Sequence, residues 1–177
     1  MADLEKMRGR GFCDNTSAHG PKGKQLDLAC PDCGRGLPTF AVTVDLIVEE
    51  GGMLWLVRRK GGQYALPGGF VEFGETLEEA AIREAQEELG AERVTLLYQF
   101  HTYGDPERDP RRRTVTVVYV AQVDQVAPSQ ERLAEDGLEG VRRFPLDRLP
   151  ALAFDHSRIL RDYVAFRARL EPLSGRR

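Results

Sequence analysis

Gly69-Phe-Val-Glu-Phe-Gly-Glu75-Thr-Leu-Glu-Glu-Ala-Ala-Ile-Arg83-Glu84-Ala-Gln-Glu87-Glu88-Leu-Gly90-Ala91 is the stretch on which the reading of this chain turns. Thr76 and Glu79 have the S/T-x-x-E spacing of a capping box, and Gly90 stands where helices commonly exit through a left-handed residue. These marks predict a helix from about Leu77 to Leu89. At about 100° per residue, Leu77, Ala81, Ile82, Ala85 and Leu89 share an apolar face, and Glu84, Glu87 and Glu88 fall on an adjacent stripe. Glu84/Glu87 and Glu84/Glu88 are i,i+3 and i,i+4 pairs, where like charges destabilise a helix by a few tenths of a kcal/mol each. A divalent cation offsets that repulsion, because Mg²⁺ takes carboxylate oxygens together with water and substrate phosphates. A bare E-x-x-E-E is more often a solvated helix face, so the neighbouring residues decide.

Upstream, Leu66-Pro67-Gly68-Gly69 reads as a Gly-rich loop. Ala41 to Val48 and Met53 to Val57 are β-rich runs joined by Glu49-Glu50-Gly51-Gly52, which predicts a hairpin. Downstream lie β-type runs from Val94 to Tyr103 and from Thr114 to Val123, and a short run around Val141 to Phe144. A final helix is expected from about His156 to Leu170, capped by Asp155. Mixed strands with one early and one late helix predict a sheet covered on both faces, an α/β/α domain over residues 39–177. Residues 1–38 carry all three cysteines among Gly, Lys and Asp and read as a separate small element.

The opening stretch resembles the Nudix box, G-x5-E-x7-R-E-U-x-E-E-x-G-U. Its specified polar and glycine positions are filled by Gly69, Glu75, Arg83, Glu84, Glu87, Glu88 and Gly90. Such a match has a chance probability on the order of one in a million at ordinary residue frequencies. The U positions hold Ala85 and Ala91, smaller than the usual choice. The resemblance covers about residues 39–170 and implies the Nudix α/β/α sandwich with a mixed sheet. It implies that Glu84, Glu87 and Glu88 coordinate Mg²⁺ or Mn²⁺, that Arg83 orients them, and that Gly68 and Gly69 allow close backbone approach to metal and phosphate. Glu75 is expected to anchor the loop. Bound metal neutralises a diphosphate and lowers the pKa of a coordinated water. Glu72, a further candidate metal ligand, and Glu135, Asp136 and Glu139 are candidates for a general base, with Glu139 set beside the box residues as catalytic.

Tyr103-Gly-Asp-Pro106-Glu-Arg108-Asp109-Pro110-Arg111 and Leu149-Pro-Ala-Leu-Ala-Phe154-Asp155-His156 resemble segments of ADP-ribose pyrophosphatases in that superfamily. Arg108 and Arg111 suit charge-assisted bonds to phosphate or ribose oxygens, and Pro106 and Pro110 stiffen their loop. Phe100 or Tyr103 suits stacking on adenine, and Arg58 is a further phosphate contact. An exposed basic turn beside core aromatics is the other reading. The expected reaction is hydrolysis of ADP-ribose to AMP and ribose 5-phosphate. NADH and damaged nucleoside triphosphates are competing substrates, and an ADP-ribose-binding regulator is the non-enzymatic alternative. Such regulators carry a DNA-binding extension, whereas seven residues follow Leu170.

Cys30-Pro-Asp-Cys33-Gly34 has the C-x2-C form of a zinc knuckle, and Cys13 with His19 suits the remaining two ligands of a structural Zn²⁺. A thiol-containing tail is the alternative. Similar ribbons precede NADH pyrophosphatases, but the S-Q-P-W-P-F-P-x-S segment of those enzymes is absent. The chain of 177 residues is 41% hydrophobic and 30% charged, with net charge −3. This suits one main folded domain and gives no global positive field for a nucleic-acid backbone. No run approaches the ~20 apolar residues of a membrane span. The start, Met-Ala-Asp-Leu-Glu-Lys, lacks a secretory pattern, so a reducing cytoplasm is expected. The partner is a small-molecule nucleotide, and similar proteins commonly form homodimers.

Overall fold

The computed structural model describes residues 28–29, 36–37 and 40–174. The chain divides into two compact units, residues 1–40 and 41–177. In the first, β1 (Leu28–Ala29) pairs antiparallel with β2 (Gly36–Leu37), Leu28 opposite Leu37. Cys13, His19, Cys30 and Cys33 lie outside the described residues.

The second unit is built on β3 (Ala41–Glu50), which lies parallel to β8 (Thr114–Asp124) from Ala41↔Thr114 to Val48↔Ala121. Six consecutive residues of β3, 43–48, are buried. A near-continuous buried run is what a central strand covered on both faces requires. β7 (Arg93–Tyr103) pairs antiparallel with the far edge of β8. β4 (Met53–Arg59), β5 (Tyr64–Ala65) and β9 (Leu138–Pro145) form an antiparallel group joined to β3 through the 51–52 turn. Period-two alternation sorts the side chains. Val44, Leu46 and Val48 pack with Val117 and Tyr119 beneath Ala80, Ala81, Ala85 and Leu89 of α1 (Leu77–Leu89). Ile47, Leu54, Leu56, Val118 and Val120 pack on the opposite face against Ile159, Leu160 and Tyr163 of α3 (His156–Ser174). Each fully buried Leu or Ile contributes about 1.5–3 kcal/mol relative to exposure. This is the α/β/α arrangement with a mixed sheet.

Five details depart from expectation. The β3–β4 hairpin is short, pairing only Glu49↔Leu54 and Glu50↔Met53. Beyond it the second edge of β3 is taken by β6 (Gly68–Phe70), three residues of the expected loop that pair with Thr43–Asp45. A helix of one and a half turns, α2 (Gln130–Glu135), occupies part of the polar stretch and buries Leu133. Asp155 does not cap α3 with its side chain. Its carboxylate accepts from Arg108 Nε and Nη2 at 3.1 and 2.9 Å, while its carbonyl accepts the Ile159 N–H. α3 runs four residues beyond the expected Leu170. Among the described residues no helix is long and apolar enough to cross a membrane.

The signals bounding α1 act as read. Thr76 Oγ1 accepts the Glu79 N–H at 3.2 Å, and Glu79 Oε2 accepts the Thr76 N–H at 2.8 Å. Gly90 exits at φ +62°, and a Cβ there would stand 2.1 Å from the Ala127 carbonyl oxygen. Gly90→Ala should therefore lose more than ~1 kcal/mol from combined strain and clash. A urea midpoint lowered at constant slope would show it, and an unchanged midpoint would refute it.

Candidate active site

α1 carries charge into the protein because its small apolar residues pull it close to the sheet. Glu84 and Glu88, one turn apart, are buried along with Ala81 and Ala85. Isolated buried carboxylates are costly unless paired or hydrogen-bonded. Burial pushes the Glu84 carboxyl up to about 7 against the pull of Arg83, and repulsion from Glu87 and Asp136 adds to the rise. Glu88 is raised well above the usual carboxylate range, first by burial and then by Glu84 and Asp136. Its compensation is the Gly68 N–H, donated to Oε2 at 2.8 Å.

Arg83 holds the cluster. Nε and Nη2 clasp Glu75 at 3.0 and 2.7 Å, and Nη1 donates to Glu84 at 2.9 Å and Glu87 at 3.1 Å. Nη2 also donates to the Phe70 carbonyl at 3.0 Å. Glu75 accepts the Glu72 N–H at 2.6 Å, which fixes the β6–α1 loop to the arginine. Both glycines line the cavity, and each is also hemmed in by the protein itself. Gly68, at φ +151°, lies against β3, where a Cβ would stand 2.1 Å from the Val44 carbonyl oxygen. At Gly69 a Cβ would stand 2.2 Å from Glu84 Oε1. Glycine at 69 thus leaves room for a carboxylate.

A cavity of about 350 Å³ gathers Gly68, Gly69, Glu72, Arg83 and the three box carboxylates Glu84, Glu87 and Glu88. Asp136 joins them from the α2–β9 turn. Among the described residues, no three Asp, Glu, His or Cys side chains are drawn together as a finished metal site. The donor set still fits a hard cation, since oxygens dominate it and, among the described residues, Arg83 is the single ion-pair partner of Glu75, Glu84 and Glu87.

Five sequence-selected residues are not among those lining the cavity. Arg58 and Glu139 pair with each other at 3.4 Å on an exposed surface. Strand alternation sends Val57 and Arg59 inward and Arg58 outward, so Arg58 and Glu139 stand apart from the cavity lining. Tyr103 lines a separate cavity with Phe100, Asp162 and Phe166, and its hydroxyl donates to Asp162 Oδ2 at 3.1 Å. Tyr103 is buried and Phe100 is partly buried against α3. Glu135 is also absent from the cavity lining.

Arg108 does reach the cavity, but its guanidinium is committed. It is 4% exposed, contacts Asp155 at 2.9 Å and Asp45 at 3.4 Å, and donates to Thr114 Oγ1 at 2.8 Å. Asp45 also accepts from Thr116 at 2.7 Å and lies 3.4 Å from His156 Nε2. Burial would raise the Asp45 carboxyl, yet His156, Thr116 and Arg108 together hold it below its usual value. His156 Nδ1 accepts the Leu66 N–H at 2.9 Å, so the buried ring ties α3 to the strand leading into Gly68. Arg111 lines the cavity beside Asp109, its partner at 2.8 Å.

Sequence reasoning did not single out Arg59, Phe154, Phe70, Asp45 or His156 as lining residues. Asp45 was visible as a lone acid inside an apolar run, and Phe154-Asp155-His156 lay in a segment already noted. Arg59 carried no signal that separated it from Arg58.

The NUDIX domain model matches residues 38–163, and the chain belongs to the Nudix family. It is 41% identical over 132 residues to an ADP-ribose pyrophosphatase of Methanocaldococcus jannaschii, covering 72% of this chain and 75% of that protein. It is 31% identical over 134 residues to an NAD-capped RNA hydrolase NudC of Chromobacterium violaceum, covering 72% of this chain but 47% of that longer protein. Among solved structures, the NUDIX domain of Shewanella oneidensis NrtR complexed with ADP ribose superposes with TM-score 0.56 at 26% identity, covering 76% and 90% of the two chains.

Gly69→Ala should leave the fold nearly intact, because the displaced atoms are the end of a flexible side chain. It should weaken Mn²⁺ binding by roughly tenfold or more, the scale of lost support around a ligand. Calorimetric titration giving wild-type affinity would contradict this.

Proposed function

We propose that this protein is a divalent-cation-dependent hydrolase of ADP-ribose, giving AMP and ribose 5-phosphate. The observation that carries the reading is the convergence of Glu84, Glu87 and Glu88 beside Gly68–Gly69 in one cavity that also holds arginines. The 41% identity to an ADP-ribose pyrophosphatase supports the choice of substrate.

Glu84, Glu87 and Glu88 would hold Mg²⁺ or Mn²⁺, with Glu72 a further oxygen in the same wall. When bound, the cation supplies charge neutralisation of the diphosphate and a lowered pKa for a coordinated water. Arg83, itself anchored by Glu75 and the Phe70 carbonyl, keeps Glu84 and Glu87 in place, and the Gly68 N–H holds Glu88, so their geometry is set before substrate arrives. Asp136 replaces Glu139 as the candidate to take a proton from the attacking water. Burial raises its carboxyl first, and Glu87 and Glu135 raise it further, in the direction that makes a carboxylate a better base at neutral pH.

With Mg²⁺, turnover of ADP-ribose should exceed that of NADH and of a nucleoside triphosphate panel. Faster cleavage of NADH or a triphosphate would reassign the substrate. Binding of ADP-ribose without turnover would favour a sensor, a reading motivated by the likeness to the NrtR domain. Glu87→Gln should lower kcat roughly a hundredfold, ~2.7 kcal/mol of barrier, with little change in unfolding midpoint because Glu87 is only half-buried. Undiminished turnover at saturating Mg²⁺ would remove Glu87 from the machinery.

We further propose, on the C-x2-C spacing and the flanking Cys13 and His19, one structural Zn²⁺ per chain. Protein purified without chelator should contain it by elemental analysis, and zinc-free protein would dismiss the proposal.

A further inference from the structure

Between β5 and β6 the chain passes through Leu66 and Pro67, and this short passage connects the start of α3 to a box carboxylate. Tyr64 makes a parallel bridge to Leu152: its N–H donates to the Ala151 carbonyl at 3.0 Å, and its own carbonyl accepts the Ala153 N–H at 2.8 Å. A parallel ladder continued by one step would offer the Ala153 carbonyl to the Leu66 N–H. The ladder stops instead, because Phe154 takes φ +56°, a conformation costly for a bulky side chain and held only where the surroundings impose it. After that turn the Ala153 carbonyl accepts the His156 N–H at 3.3 Å. The His156 ring, 2% exposed, takes the place the carbonyl would have filled, and its Nδ1 accepts the Leu66 N–H at 2.9 Å. A ring nitrogen that accepts carries no proton, so the proton of the neutral ring is on Nε2, which faces Asp45 Oδ1 at 3.4 Å.

The passage has few polar handles. Pro67 has no N–H, and its carbonyl accepts the Leu46 N–H of β3 at 2.8 Å. The next N–H, that of Gly68, donates to Glu88 Oε2 at 2.8 Å. Gly68 also stands opposite Asp45 in the β3–β6 register, where a Cβ would meet the Val44 carbonyl. β3 therefore limits how closely the passage approaches the sheet, and the bond to His156 fixes its other end. Removing the acceptor at Nδ1 would orphan a buried N–H. The backbone would shift to satisfy it, and the Gly68 N–H would move with respect to Glu88.

Resting on the divalent-cation reading above, we propose that His156 is a positioning residue for the cation: its Nδ1 fixes the Leu66–Gly68 backbone and, through the Gly68 N–H, holds the Glu88 carboxylate in place for the ion. His156 acts through the backbone and not as a ligand, because Nδ1 is engaged by Leu66 and Nε2 carries the proton. Outer partners of this kind keep a ligand oriented before the ion arrives, and losing one lowers affinity without removing any ligating atom. The strained turn at Phe154 has a purpose on this reading, since it exchanges a ladder carbonyl for a side-chain acceptor carried by α3.

The test uses the full chain and calorimetric titration with Mn²⁺ alone, so it does not depend on turnover. His156→Leu should weaken Mn²⁺ binding about tenfold or more, the usual scale for a lost partner behind a ligand. Two amide side chains separate the roles of the ring nitrogens. Asparagine sets its amide oxygen where Nδ1 stands and can accept the Leu66 N–H, whereas glutamine sets its amide where Nε2 stands, facing Asp45. His156→Asn should therefore bind Mn²⁺ within about threefold of the wild type, and His156→Gln should lose about as much as His156→Leu. Hydrogen exchange of the Gly68 amide should quicken in the leucine and glutamine variants and not in the asparagine one. Tyr163→Phe removes a different buried anchor of α3, the hydroxyl bond to Glu49 at 2.9 Å, and neither of those residues lines the cavity. It should lower the urea midpoint and leave Mn²⁺ affinity unchanged. The asparagine and glutamine variants carry the test if His156→Leu fails to fold. Wild-type-like affinity in His156→Gln, an asparagine variant as weak as the glutamine one, or an equal loss in Tyr163→Phe would overturn the positioning role, as would a wild type that binds no Mn²⁺. Turnover of ADP-ribose by the wild type is scored separately: its absence alongside the expected order of affinities would sink the hydrolase reading and leave the positioning role standing.

Discussion

The structure depends on how α1 carries buried negative charge without unfolding. Glu84 and Glu88 stand on the same side of the helix as the alanines that seat it on the sheet, so they cannot escape to water while the helix is docked. A buried carboxylate left unpaired costs several kcal/mol, comparable to a large part of a domain's stability. Arg83 and the Gly68 N–H are the local answer. Neither neutralises the cluster, and the raised pKa values of Glu84 and Glu88 record the remaining imbalance. The same imbalance favours a hard cation, so stability and ligand affinity have one electrostatic origin.

A second buried charge cluster serves geometry. Arg108, Asp45, Asp155 and His156 bring together the 104–113 loop, the central strand and the start of α3. Such a cluster adds little net stability compared with well-packed apolar residues, but removing one member strands the others. Its consequence for the site runs through His156, which accepts the Leu66 N–H two residues before Gly68. Gly68 in turn donates to Glu88. Position is therefore transmitted from α3 to a box carboxylate through three consecutive backbone residues and two hydrogen bonds.

The sequence made α1 legible in detail because its signals are local: a capping box, a left-handed exit and a periodic apolar face all act within one helix. The layering was legible for the same reason, since β3 and β8 are apolar on both faces. Details that depend on long-range partners were not legible. Asp155 has the chemistry of an N-cap, but a buried arginine 47 residues away competes for its carboxylate and wins. Tyr103 and Phe100 have the chemistry of base-stacking residues, but they face α3 in a cavity separate from the box glutamates. Glu139 and Asp136 lie three residues apart in one polar stretch, and only the path of the α2–β9 turn selects Asp136 for the cavity. Arg58 and Arg59 are the sharpest case, because a one-residue difference in strand phase exchanges solvent for the cavity.

Five arginines near the site show how partners rather than residue type decide what a cation can do. Arg83 and Arg108 are surrounded by carboxylates, and an anionic ligand would have to displace charge-assisted bonds to reach them. Arg58 pairs at the surface, where an ion pair is worth at most about 1 kcal/mol. Arg111 pairs with Asp109 and lies over the rings of Phe154 and Phe70. Arg59 lies over the Phe154 ring and feels the attraction of Glu88 and Asp109, and a cation–π contact orients a guanidinium without neutralising it. The arginines of this wall thus differ in how closely carboxylates hold them, and the ion-paired ones fix the frame. This division explains how one wall can hold both acidic and basic groups: each charge is either matched within the protein or left for a ligand component of the opposite sign.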